Sequence, residues 1–247
     1  MIHCSLAHSG SWGGLARHLS GALSMVAFDM PGHGRSARWD GRGEVQQVTA
    51  AIAATFCEDT PRDVIGHSFG ATVALRLAVI RPDLVRSLVL IEPVFFTVAR
   101  RDHPDIYAAH RTQTAAFDAA MEAGDTWAAA REFTSLWGAG PPWRAIPEAQ
   151  KRELADQMYL IAAAADALYG DPGGMLNNGV LQALDIPVLL IEGSGSPRVI
   201  SAVQEGLSAR LPLVTRTVIA GAGHMAPITH AQQVAGEVLW FLGEVPG

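Results

Sequence analysis

Two residue types at separated positions in the chain could together perform nucleophilic catalysis. Ser68 lies in Gly66-His67-Ser68-Phe69-Gly70, a G-x-S-x-G pentapeptide. A serine hydroxyl is a weak nucleophile and needs an adjacent base. The candidate base is His224, in Gly221-Ala222-Gly223-His224-Met225, directly after an apolar run that reads as the last strand. The chain has nine histidines, and this position at the end of a strand sets His224 ahead of the others. His67 adjoins the serine and is expected to point away into packing. His33 sits in a Pro/Gly-rich loop and reads as a structural hydrogen-bonder. His230 falls six residues beyond His224, in a helical segment.

The flanks of Ser68 supply the context that this chemistry requires. Asp63-Val64-Ile65 before it suits a short buried strand, and Ala71 to Ala78 after it suits a helix. A serine on such a sharp strand-to-helix turn is lifted out of the sheet and exposed at its rim. Glycines two before and two after it allow backbone to approach backbone.

The remaining pattern alternates strand and helix. Helices are expected over about 12–19, 45–56 and up to Ile80, with strands at Met25–Phe28, Val64–Ile65 and Ser87–Ile91. Asp29-Met30-Pro31-Gly32-His33-Gly34-Arg35-Ser36 is a cluster of turn formers, in which Asp29 is expected to tie down its own loop. From Pro93 about eighty residues carry helical periodicity and no strand. Asp125 is a candidate N-cap there, and Pro147 opens a helix expected to run unbroken to Leu168. Alternation resumes with a strand at Val188–Ile191, a helix over Val199–Leu211, a strand at Val214–Ile219 and a closing helix from Ile228 to Phe241. This order predicts an α/β fold with a mostly parallel, doubly wound sheet. The expected domains are a core of 1–93 and 181–247 with a helical cap of 94–180.

Composition narrows the function. An apolar fraction of 49% against 17% charged residues indicates a globular chain. The net charge of −6 and the single lysine, Lys151, argue against nucleic acid or an anionic membrane surface as partner. No run of about eighteen apolar residues and no signal peptide is visible. Cys4 and Cys57 make no disulfide framework, so a reducing, cytoplasmic compartment is expected. No metal-ligand spacing and no dinucleotide fingerprint is seen, and no cofactor is implied.

Ser68 in its pentapeptide, the loop Phe28 to Ser36, and Gly223-His224 after the last strand together resemble the α/β-hydrolase fold superfamily, over nearly the whole chain outside the cap. The resemblance implies an eight-stranded sheet, a helical cap over the site and a Ser–acid–His triad in that order. Two departures follow. The family's usual aspartate after the Val188–Ile191 strand is replaced by Ser196, in Glu192-Gly193-Ser194-Gly195-Ser196-Pro197. Some members take the acid from the end of the strand after the nucleophile helix, which here carries Glu92; Glu92 is therefore assigned to orient His224, with Glu192 in reserve. The family's first two strands also lack counterparts before Met1, which predicts a sheet of about six strands with an open edge and raises a homodimer as an expectation. The resemblance further implies an oxyanion hole built from the backbone N–H of Phe69 and of Ser5, with Leu6 as a one-residue shift.

The expected activity is hydrolysis of a small, largely apolar ester, thioester or activated carbonyl through an acyl-enzyme on Ser68. The aromatic residues of the cap, among them Phe96, Phe117, Phe133 and Trp137, would shape its pocket. Two other readings stay open: a C–C hydrolase or lyase using the same Ser/His pair, and a ligand-binding module on a retired hydrolase scaffold.

Overall fold

A computed structural model describes residues 1–245; the last two residues of the expected 181–247 core segment lie outside it. Four parallel strands form the sheet in the order β1-β2-β3-β4: β1 (Arg62–His67), β2 (Val85–Ile91), β3 (Val188–Gly193) and β4 (Val214–Ile219). The helices are α1 (Gly13–Leu19), α2 (Val45–Thr55), α3 (Phe69–Ile80), α4 (Phe96–Asp102), α5 (Pro104–Glu122), α6 (Thr126–Trp137), α7 (Glu148–Asp156), α8 (Met158–Tyr169), α9 (Arg198–Ser208), α10 (Ala226–Thr229) and α11 (Ala231–Glu244).

The continuous apolar runs of the strands become two faces, because successive side chains point to opposite sides of a sheet. Val64, Leu88, Leu90, Val188 and Leu190 pack on one face with residues of α2, α3, α4 and α9. Ile65, Val89, Ile91, Leu189 and Ile191 pack on the other with α1 and α11. Burying a Val, Leu or Ile side chain completely contributes about 1.5–3 kcal/mol, so each face is a substantial source of stability.

The sheet is shorter than the six strands expected. Ile2 makes one isolated bridge to Gly66: its N–H donates to Ile65 O at 2.8 Å and its carbonyl accepts from His67 N at 3.1 Å. The Met25–Phe28 run, expected as a strand, forms none. Its link to this segment is a hydrogen bond from the Met1 amino group to Val26 O, and one bond does not make a ladder.

Between β2 and β3 the chain forms α4 to α8. Asp125 caps α6 as expected, accepting from Ala128 N at 2.9 Å. The helix expected from Pro147 to Leu168 is two helices. At Gln157 the N–H is shared between Glu153 O and Leu154 O, and φ −90°, ψ −4° ends the first helix and starts the next. The closing helix is likewise divided at His230, whose φ is −127°.

Candidate active site

The turn at Ser68 follows from its glycines. Ser68 has φ 56° and ψ −117°, a left-handed conformation that non-glycine residues rarely adopt. Such strain costs about 1–3 kcal/mol and persists where its surroundings enforce it. Ser68 N donates to Ile91 O at 2.9 Å, which fixes the turn against β2. A Cβ at position 66 would collide with the Gly70 carbonyl, and one at position 70 with the carbonyls of Ile2 and His3. The tight turn therefore excludes side chains at both positions.

The structure brings together Ser68, His224 and Glu92. Ser68 Oγ lies 2.9 Å from His224 Nε2, and His224 Nδ1 lies 3.0 Å from Glu92 Oε2. All three are buried, Glu92 completely. The parallel register explains the meeting. His67 pairs with Ile91, so Ser68 and Glu92 are each the first residue beyond the ladder, side by side at the carboxyl ends of β1 and β2. Glu92 is also left-handed, with φ 53°. Its second oxygen accepts from Gly193 N at 2.5 Å and from Ser196 Oγ at 2.7 Å. With Nδ1–H donating to Glu92, Nε2 is left to accept the serine proton, as a general base must.

Glu192 is engaged elsewhere. It accepts from Ser201 Oγ at 2.9 Å and pairs with Arg216 at 3.3 Å, and burial raises its pKa. Asp29 does tie down its own loop, accepting from Arg35 N at 2.9 Å and Ser9 N at 2.6 Å. These bonds hold its carboxyl well below the usual range, the Arg35 N–H most of all. His33 Nδ1 pairs with Pro31 O at 3.0 Å, and His230 Nδ1 with the Thr229 hydroxyl at 2.9 Å.

Ser5 lies in a turn closed by Ala7 N donating to Cys4 O at 3.3 Å, with Leu6 left-handed at φ 59°. Among the described residues the Ser5 N–H has no backbone acceptor. Phe69 is the first residue of α3, where an N–H has no partner within the helix. His3 steadies this turn: Nδ1–H donates to Cys4 O at 2.8 Å, and Nε2 accepts from Met30 N at 3.0 Å. Burial lowers the His3 pKa to about 4.

Ser5, Ser68 and His224 open onto a cavity of about 290 Å³. Phe96, Phe117, Phe133, Leu136, Trp137 and Leu168 supply much of its apolar wall. The Trp137 ring stands edge-on to His224, centroids 4.7 Å apart. Arg111, Asp118, Glu122 and Glu132 add charge to the lining, with Arg111 and Asp118 paired at 2.8 Å. The expectation for His67 is half met. Its ring is buried, yet its Nε2 lies 2.8 Å from the backbone carbonyl of His224. Adjacency to Ser68 is visible in the sequence, but no local signal joins residue 67 to residue 224.

A parallel sheet with a left-handed serine between strand and helix, facing a histidine and a buried carboxylate, defines the α/β-hydrolase class. The model of the Alpha/beta hydrolase family matches residues 1–237, and the chain belongs to that family. It is 29% identical over 251 residues to a pimeloyl-[acyl-carrier protein] methyl ester esterase of Xanthomonas campestris pv. campestris, covering 100% of this chain and 95% of that protein. It is 42% identical over 94 residues to lipase LipV of Mycobacterium tuberculosis, covering 37% of this chain and 35% of LipV. With esterase Rv0045c of the same organism it shares 29% identity over 180 residues, covering 69% of this chain and 58% of that one. The match thus spans about a third of LipV and under two thirds of Rv0045c. A solved thermophilic esterase superposes with a TM-score of 0.70 at 22% identity, covering 99% of this chain and 88% of its own. Among the described residues no helix is long and apolar enough to cross a membrane.

Proposed function

We propose that the chain is a serine hydrolase that cleaves a small, largely apolar ester, thioester or activated carbonyl compound through an acyl-enzyme. The observation that carries this reading is the continuous chain Ser68 Oγ–His224 Nε2 and His224 Nδ1–Glu92 Oε2, at 2.9 and 3.0 Å, opening onto an apolar cavity. Ser68 attacks the carbonyl carbon while His224 takes its proton. Glu92 holds the imidazole in the Nδ1–H tautomer and stabilises its charged form. The N–H groups of Phe69 and Ser5 receive the developing oxyanion, and each such donor typically contributes about 2.7–4 kcal/mol of transition-state stabilisation. His224 then protonates the leaving group and activates the water that releases the acid.

The cavity is at the small end of ligand sites, which supports a compact acyl group. The relatives named as esterases support an ester as the bond cleaved. Acidic side chains outnumber Arg111 in the lining, which favours a neutral acyl chain over one ending in a carboxylate. Helices α4 to α8 act in this reading as the cap that shapes the acyl site.

Intact-mass labelling with a fluorophosphonate, on wild type and on Ser68→Ala, tests the nucleophile. One adduct in wild type and none in the variant is expected. Turnover of p-nitrophenyl butyrate in isotopically labelled water then tests the reaction, since hydrolysis places the label in the product acid. A folded wild type that neither labels nor turns over would overturn the reading.

A further inference from the structure

Building on the serine-hydrolase reading, we propose that His67 is a positioning residue that sets the Ser68–His224 alignment through the backbone carbonyl of His224. The His67 Nε2 to His224 O contact is 2.8 Å, buried, and spans 157 residues of sequence. A carbonyl oxygen only accepts, so Nε2 carries the hydrogen and the ring is the Nε2–H tautomer. Burial first, and the neighbouring His224 second, lower the His67 pKa to about 3. The ring thus stays neutral beside a base that must become charged, and it adds no repulsion to the imidazolium.

The same residue joins three parts of the site. Its backbone N–H donates to Ile2 O at 3.1 Å, fixing the segment that leads to Ser5. Its own peptide continues into the Ser68 turn. Its ring holds the loop that carries the base. That loop is also pinned by Gly195 N to Ala222 O at 2.8 Å and by Ala226 N to Gly223 O at 3.0 Å. Both of these bonds fall on carbonyls before His224, whereas the His67 bond falls on His224 itself. Without the donor a buried carbonyl is unpaired, and the backbone beneath the imidazole has reason to move. A shift of about 1 Å at a reacting group lowers rate by about a hundredfold.

The test compares His67→Gln, His67→Asn and His67→Phe by fluorophosphonate labelling rate, by kcat and KM on p-nitrophenyl butyrate, and by thermal melting. Glutamine carries an amide N–H out to the reach of Nε2. Asparagine is also an amide but ends short of the carbonyl, and phenylalanine keeps the ring without the donor. The expected result is a fall in labelling rate and kcat of about ten- to hundredfold for Asn and Phe, with KM within about twofold, and recovery of most of the rate in Gln. If Phe fails to fold, the Gln–Asn contrast decides alone. Equal rates in folded Gln and Asn variants, or a Phe variant labelling at the wild-type rate, would overturn the positioning role alone. A folded wild type that neither labels nor turns over would overturn the serine-hydrolase reading and this role with it.

Discussion

Ser196 donates a 2.7 Å hydrogen bond to Glu92 Oε1 across 104 residues of sequence. The position from which the family pattern takes its acid therefore touches the carboxylate assigned to that role, now as a donor. With Gly193 N–H on the same oxygen and His224 Nδ1 on the other, Glu92 is a buried carboxylate surrounded by donors. In the proposed reaction, such fixed dipoles would need no rearrangement when charge develops at His224.

Glu92→Gln is expected to lower kcat by about 10²–10⁴-fold, the range over which a lost acid–base partner acts. The protein should still fold, because glutamine keeps the shape and one acceptor oxygen. Ester turnover with a parallel thermal melt checks this. Near-normal turnover in a folded variant would move the acid elsewhere.

Ser196→Asp is expected not to rescue Glu92→Gln. The Ser196 hydroxyl meets the carboxyl of residue 92 rather than the His224 ring, so an aspartate there is aimed at the wrong group. In the wild-type background the same change sets two carboxylates together, raises the pKa of one and should lower turnover at neutral pH. Recovery of activity in the double variant would show that the loop reaches His224 after all.

The serine turn and the base loop were legible because each carries a local signature: glycines around Ser68, and a glycine-rich loop straight after a strand for His224. Glu92 was legible as a strand-end residue on the strength of the family resemblance. What brings it to the site is the parallel pairing of His67 with Ile91, and no local pattern encodes such a register. Ser196 read as a vacancy because a serine cannot replace a carboxylate; its use as a donor depends on where the acid went. Met25–Phe28 is apolar but has no ladder partner among the described residues, and composition does not distinguish a paired run from an unpaired one. The breaks at Gln157, whose N–H is shared, and at His230, whose N–H still bonds Ala226 O, fall within continuous helical periodicity and leave little mark on that period.

Acid should destabilise the fold through the buried histidines. The folded pKa values of about 4 for His3 and about 3 for His67 lie below the ordinary 6.5, and burial is the main cause of both. The folded protein then binds fewer protons than the unfolded chain over this interval. Stability is undiminished above about pH 6.5, falls as the pH drops, and levels off for each histidine below its folded value. A tenfold loss of proton affinity on folding corresponds to about 1.4 kcal/mol. Urea unfolding between pH 7.5 and 4 checks this, and His3→Gln should flatten the curve. A midpoint independent of pH over that range would contradict it.

Ser68 holds a backbone conformation that glycine adopts freely. On the proposed mechanism this position sets durability against activity: Ser68→Gly should melt higher than the wild type while turning over nothing. A search for thermostable variants of this protein that does not also select for turnover would then drift toward its loss, beginning at Ser68.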